Sequence, residues 1–277
     1  MKQPFHFQQG DIPLLISMPH VGTNIPSEMR AQLTPIADQL TDTDWHLPLL
    51  YNMTSEIGAS VIHAEYSRYV IDLNRSSDDN NLYPGLDTTG LCPIDTFAKE
   101  ALYADGKIPD AVEVQRRIQH YWQPYHQQLQ AELERLRAKH GIAILWDAHS
   151  IASQVPRFFQ GKLPDLNFGT ADQQSCASGL QQTLAATLQT ALKTQATVPT
   201  YSHIFNGRFK GGYITRHYGQ PTKNIHAVQL EMSQCIYMDE AAPYAYRADL
   251  AAQVQPLLRN LIAACQTWAV QQSGVTS

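Results

Sequence analysis

Ile142-Ala-Ile-Leu-Trp-Asp-Ala-His149-Ser150 is the stretch on which the fold turns. Five apolar residues precede an aspartate and a histidine. A run this short falls below ordinary helix length, and its β-branched content favours a buried strand. The same signature recurs outward in both directions. Pro13-Leu-Leu-Ile-Ser-Met18 ends at Pro19-His20, and His226-Ala-Val-Gln-Leu230 ends at Glu231. Ser60 to Leu73 holds one or two β-segments and ends at Asn74-Arg75. Between these runs lie helical patterns. Residues 111–139 carry Val114, Ile118, Trp122, Tyr125, Leu129, Leu133 and Leu136 at spacings of three and four, closed by Gly141 in C-cap position. Pro124 should bend or interrupt that helix. A second helix is expected over 171–194, and one or two more over 239–270. Helices alternating with short buried strands predict an α/β fold, in which a central, mainly parallel or mixed sheet is flanked by helices. Without a linker, repeat or low-complexity tract, residues 1–277 read as one domain.

The composition narrows the function. Hydrophobic residues make up 43% and charged residues 16%, which is globular rather than disordered or coiled-coil. A net charge of −5 gives no drive toward a polyanion, so a nucleic-acid partner is not expected. Cys92, Cys176, Cys235 and Cys265 are scattered, without a CxxC pair, which argues against a disulfide framework or a cysteine zinc site. The start lacks an apolar signal segment, and no stretch reaches the roughly 18 apolar residues of a membrane span. A cytoplasmic protein acting on a small molecule is the expectation.

Ligands of open α/β sheets sit beyond the carboxyl ends of the strands. His20, Asn74-Arg75, His149 and Glu231 should converge there. Two histidines and a carboxylate would suit a divalent metal that keeps one position open for water. Asp42 and Asp44 are candidates for the carboxylate, although either equally suits the N-cap of the apolar pattern at Leu47, Leu49, Leu50 and Tyr51. Asp147 shares a strand face with His149 and either orients its ring or competes as a ligand. Glu231 ends a buried run, where a carboxylate needs either a salt-bridge partner or a task such as proton transfer. Arg68, Arg75 and Arg216 stand in uncharged or aromatic surroundings and suit carboxylate recognition, with Asp72, Asp78 or Asp79 as alternative partners. Arg208, Lys210 and Gly211-Gly212 offer a basic binding loop. Ser150 lacks the GxSxG elbow of serine hydrolases. His120, His126 and His140 read as surface or interhelix residues, and Trp122 with Tyr125 as core.

Pro19-His-Val-Gly-Thr-Asn-Ile-Pro26, Asp42-Thr-Asp-Trp45, Asp72-Leu-Asn-Arg75, Trp146-Asp-Ala-His-Ser150 and Gly211-Gly-Tyr-Ile-Thr-Arg216 together resemble the N-formylglutamate amidohydrolase family, over about residues 11–240. The resemblance implies release of formate and L-glutamate from N-formyl-L-glutamate in histidine breakdown, on a zinc-carboxypeptidase-like fold. It implies one divalent metal, Zn²⁺ with Co²⁺ or Mn²⁺ as alternatives, on His20, His149 and a carboxylate. It makes Glu231 the proton shuttle, Arg68 the residue that polarises the carbonyl, and Asn74 and Arg75 the binders of a substrate carboxylate. In the carboxypeptidase pattern the carboxylate ligand follows the first histidine by three residues, a position held here by Thr23. The third ligand must come from elsewhere, and Asp44 is placed ahead of Asp42. Arg216 is assigned to the glutamate carboxylates on charge alone. Three readings compete with a deformylating metal amidohydrolase: the same metal chemistry on another N-acyl acidic amino acid, a non-catalytic dicarboxylate binder, and a two-metal phosphoesterase built on Asp42, Asp44 and Asp147.

Overall fold

Seven strands pair into one sheet: β1 (Phe5–Gln8), β2 (Leu14–Met18), β3 (Ser60–Ala64), β4 (Ala143–Ile151), β5 (Leu166–Gly169), β6 (His203–Phe205) and β7 (Ile225–Ser233). Their spatial order is β1-β3-β2-β4-β7-β5-β6. The computed structural model describes residues 3–80, 85, 87–194 and 200–273. β3, β2, β4 and β7 run parallel, β1 lies antiparallel on β3, and β5 with β6 runs antiparallel to β7. The sheet is therefore mixed around a parallel centre, within the expected class.

Among the described residues the longer helices are α1 (Ala111–Arg117), α2 (Gln123–His140), α3 (Ser178–Thr194), α4 (Tyr213–Tyr218) and α5 (Ala248–Ser273). Alternation along β4 separates two cores. Ile144, Trp146 and Ala148 join Leu180, Leu184, Leu258 and Leu261 of α3 and α5 on one face. Ala143 and Leu145 join Tyr125, Leu129, Leu133 and Leu136 of α2 on the other. Each fully buried Leu or Ile contributes roughly 1.5–3 kcal/mol, which offsets the polar groups buried further along the same strands. Among the described residues, no helix is long and apolar enough to cross a membrane.

Several sequence expectations change in detail. The apolar runs do not stop at the chemistry-bearing residues: β4 and β7 each continue for nine buried residues and carry His149 and Glu231 inside the sheet. Only Ser60–Ala64 of the 60–73 run is strand. Beyond it the chain leaves the sheet, and Val70, Ile71 and Leu73 bury themselves as loop residues. The 111–139 pattern is helical throughout, but a π-turn over Ile118–Trp122 separates α1 from α2. Pro124 is the second residue of α2, directly after that turn, so the expected interruption takes the form of a change in helix type rather than a break. Gly141 closes α2 in the left-handed conformation, φ 76°, as expected. α3 begins only at Ser178, because Ala171, Asp172 and Gln173 all adopt positive φ.

The loop over residues 65–75 is fastened from beneath by α1 and α2. Arg117, fully buried, donates from Nη1 to the Val70 carbonyl at 3.0 Å and to the Tyr103 hydroxyl at 2.7 Å, and from Nε to Glu113 at 2.8 Å. His126 is buried rather than superficial: Nε2 lies 2.9 Å from the Leu73 carbonyl and Nδ1 lies 3.0 Å from the Tyr218 hydroxyl. Burial pushes its imidazole down to about 3, so it stays neutral at any working pH. Trp122, at the end of the π-turn, donates from Nε1 to the Arg75 carbonyl at 2.9 Å. Arg117→Ala should cost about 2–4 kcal/mol, because it leaves a void and two unsatisfied oxygens. Urea denaturation measures this; a loss below about 0.5 kcal/mol would show that the loop does not depend on the anchor.

Candidate active site

The register of the two central strands sets the site. His149 on β4 is paired with Glu231 on β7, and Asp147 with Gln229. On β2, Ser17 lies beside Asp147. Residues two apart share a face, so the apolar ladder of the α2 side turns polar toward the carboxyl ends of the strands. His20 follows β2 by two residues, and the loop that follows it supplies Asp44. The Asp44 amide donates to the His20 carbonyl at 3.1 Å. Gln234 and Tyr237 hold the same loop through the carbonyls of Thr43 and Trp45, at 2.9 Å each.

His20, Asp44 and His149 come together with one ligand atom from each within 4.8 Å of the others, all three buried. Asp44 Oδ2 lies 3.1 Å from His149 Nδ1 and 3.7 Å from His20 Nδ1. The opposite ring nitrogens are backed by further carboxylates: Asp72 Oδ1 is 2.7 Å from His20 Nε2, and Asp147 Oδ2 is 3.2 Å from His149 Nε2. Outer carboxylates that fix the tautomer, leaving both Nδ1 atoms turned toward a third carboxylate, are the arrangement of histidines that hold a cation. The donor set, two nitrogens and one oxygen, fits a zinc-type ion with an open position.

The electrostatics agree. Burial raises the Asp44 carboxyl, but the two histidines outweigh it and hold the group below its ordinary range. Burial likewise works against Asp72 ionisation and is overcome by His20 and Arg68. For His149, burial is outweighed by Asp147 and Asp44, which raise the imidazole well above normal. Glu231 behaves oppositely. Burial, reinforced by Asp44, pushes its carboxyl up to about 7, against the pull of His149, His20 and Arg68. Its one side-chain hydrogen bond among those described comes from Gln229 Nε2 at 3.3 Å. A buried carboxyl near neutrality beside a cation-type site is suited to moving a proton.

The other acids have different employment. Asp42 Oδ2 accepts the Phe97 amide at 2.9 Å and Oδ1 accepts the Thr41 hydroxyl at 3.1 Å, so it orders a loop. Neither aspartate caps the helix Leu47–Leu50, whose N-cap is His46. Asp147 accepts from Ser17 at 3.3 Å and from Thr215 at 3.2 Å. With both occupied, a two-metal set built on Asp42, Asp44 and Asp147 is not assembled among the described residues.

An open cavity sits over this group, lined among others by Arg68, Asn74, Arg75, Phe97, Phe158 and Arg208. Arg68 donates to Asp72 Oδ2 at 2.7 Å, stands 4.0 Å from Asp44 Oδ1, and lies over the Phe97 ring at 4.8 Å. Asn74 is largely committed to the fold: Oδ1 accepts the Ile214 amide at 2.8 Å, which places Nδ2 3.1 Å from His149 Nε2. Gly212 permits that approach, since a Cβ there would meet Nδ2 at 2.3 Å. Arg216 is not part of the cavity wall among the described residues. It stands on α4 with Nε donating to the Gly211 carbonyl at 2.8 Å. Charge alone could not reveal which face of α4 it would occupy. The sequence offers Asp72 as an alternative partner for the arginines and as part of the Asp72-Leu-Asn-Arg75 motif, and the Arg68 contact at 2.7 Å fulfils the first; it gives no signal for Gln229.

The model of the N-formylglutamate amidohydrolase family matches residues 12–238. A Pseudomonas aeruginosa relative named N-formylglutamate deformylase is 51% identical over 268 residues, covering 97% of this chain and 98% of the relative. One of the same name from Pseudomonas putida is 49% identical over 272 residues, covering 98% and 99%. The crystal structure of N-formylglutamate amidohydrolase from Ralstonia eutropha JMP134 shares the fold with a TM-score of 0.78 at 24% identity, covering 98% of this chain and 99% of that one. The order of motifs around His20, Asp44, His149 and Glu231 thus sits within a match spanning most of the sequence, and the chain belongs to the N-formylglutamate amidohydrolase family.

Proposed function

We propose that this chain hydrolyses N-formyl-L-glutamate to formate and L-glutamate, with a divalent cation held by His20, Asp44 and His149. The observation that carries the reading is the pairing of His149 with Glu231 on adjoining strands, which sets a buried proton acceptor beside the His–Asp–His group. The names of the two Pseudomonas relatives support the substrate. A cation of the zinc type would supply Lewis-acid polarisation and lower the pKa of a water in the site.

The chain's own groups do the rest. Glu231 accepts a proton from the water that adds to the formyl carbon, and delivers it to the glutamate nitrogen as the C–N bond breaks. Arg68, held between Asp72 and Asp44, stabilises the carbonyl oxygen as charge develops on it. Arg75, its backbone fixed by Trp122 and by the Asp72 carbonyl, holds the substrate α-carboxylate. Asn74 fixes the loop that presents Arg75 and packs against His149. Phe97 and Phe158, packed edge-on with ring centres 4.8 Å apart, give the cavity an apolar wall.

Glu231→Gln should bind substrate normally while losing turnover by roughly 10² or more. Glu231 must be ionised to act as base, so kcat/KM of the parent should fall as pH drops through an inflection at or below about 7, and the Gln variant should lack that limb. Formate release measured across pH tests both; a nearly active Gln variant would remove Glu231 from the mechanism. Arg75→Ala should mainly raise KM for formylglutamate, by roughly tenfold or more, and an unchanged KM in a normally folded variant would reject the clamp.

A further inference from the structure

A substrate with two carboxylates asks for two cationic partners, and among the described residues the cavity wall carries three guanidiniums, those of Arg68, Arg75 and Arg208. Arg68 is engaged at 2.7 Å with Asp72, beside Asp44. Arg75 lines the same cavity and helps to hold down the carboxyl of Asp72, which is itself 2.7 Å from His20, so it belongs to the wall next to the histidines. Arg208 comes from a separate segment, the loop that follows β6. Its Nε donates to the Phe158 carbonyl at 2.6 Å, and its guanidinium carbon lies 6.0 Å from the Phe158 ring centre and 5.4 Å from that of Phe209.

The surroundings of Arg208 are built rather than incidental. Phe158 meets Phe97 edge-on at 4.8 Å, and Phe159 meets Phe209 at 6.1 Å. These rings pack on Ile151, Val155 and Leu163, a small core of their own. A guanidinium fixed through Nε and flanked by rings has its plane set in advance and its hydration reduced, which favours two-pronged recognition of a carboxylate. In a formylated amino diacid the α-carboxylate is attached to the carbon bearing the reacting nitrogen, while the side-chain carboxylate lies further out. The guanidinium beside the histidines therefore meets the first, and the one on the aromatic wall meets the second.

We propose that Arg208 selects the substrate class by receiving the side-chain carboxylate, so that the cavity takes N-acylated acidic amino acids in preference to neutral ones. The proposal rests on the reading of the site as a formylamino-acid hydrolase. It replaces Arg216 with Arg208 as the second carboxylate partner.

The test compares N-formyl-L-glutamate with N-formyl-L-glutamine, which matches it in shape and lacks the side-chain charge. In Arg208→Gln the ratio of kcat/KM between the two should fall by roughly ten- to a hundredfold, chiefly through KM for the acid. A ratio within twofold of the parent's, whether or not both activities drop, would overturn the proposal. Should the Gln variant fail to fold, Arg208→Lys keeps the charge and loses the fork; it should lower the same ratio, and an unchanged ratio would again overturn the idea. If the parent releases formate from neither compound, the hydrolase reading fails by itself. Calorimetry with glutarate then judges Arg208 alone: binding to the parent weakened tenfold or more in Arg208→Gln supports it, and equal affinity, or none in either protein, sinks it.

Discussion

Four carboxylates, those of Asp44, Asp72, Asp147 and Glu231, are buried around the carboxyl ends of β2, β4 and β7, and none is more than 7% exposed. Burial of an ionised carboxylate costs several kcal/mol unless hydrogen bonds or positive charge offset it. The structure answers this case by case. Asp72 has Arg68 and His20, Asp147 has two hydroxyls and His149, and Asp44 has both histidines and the Ser150 amide. Glu231 has only Gln229 among its described hydrogen-bond partners. Its carboxyl is accordingly the one driven upward, and it is the one fit to carry a proton. A cation between Asp44 and the two histidines would relieve the crowding further.

Holding those acids in place requires a stiff frame. The apolar halves of the central strands, packed against α2 on one face and α3 with α5 on the other, supply it. The loop that brings Arg68, Asp72, Asn74 and Arg75 has no strand ladder of its own. Arg117, Trp122 and His126 satisfy its carbonyls from the α1–α2 segment. The π-turn lies where that segment changes from anchoring the loop to covering the sheet, consistent with the use of such turns near functional sites.

Much of this was legible in the sequence because two periodicities carry it. Short β-branched runs and the three-four spacing through Leu129, Leu133 and Leu136 foretold an α/β layering, and the carboxyl-end rule pointed to His20, His149 and Glu231. Two things were hidden. A run such as Trp146-Asp-Ala-His149 looks as though it ends at its first charged residue, whereas a central strand can continue through Asp147 when neighbouring strands offer Ser17 and Gln229 beside it. Likewise the guanidiniums of Arg208 and Arg216 look alike in sequence. Only the turn between β6 and α4 puts one on the cavity wall and leaves the other bonded to Gly211.

The central claim is that His20, Asp44 and His149 hold one cation on which formate release depends. The most direct measurement is formate release from N-formyl-L-glutamate by chelator-stripped protein, followed by titration with Zn²⁺, Co²⁺ or Mn²⁺, with Asp44→Ala run in parallel. Activity should be absent after stripping and return to a plateau at one ion per chain. The Asp44→Ala protein should not recover at the same ion concentration. Full formate release from metal-free protein, or from Asp44→Ala without added ion, would contradict the account.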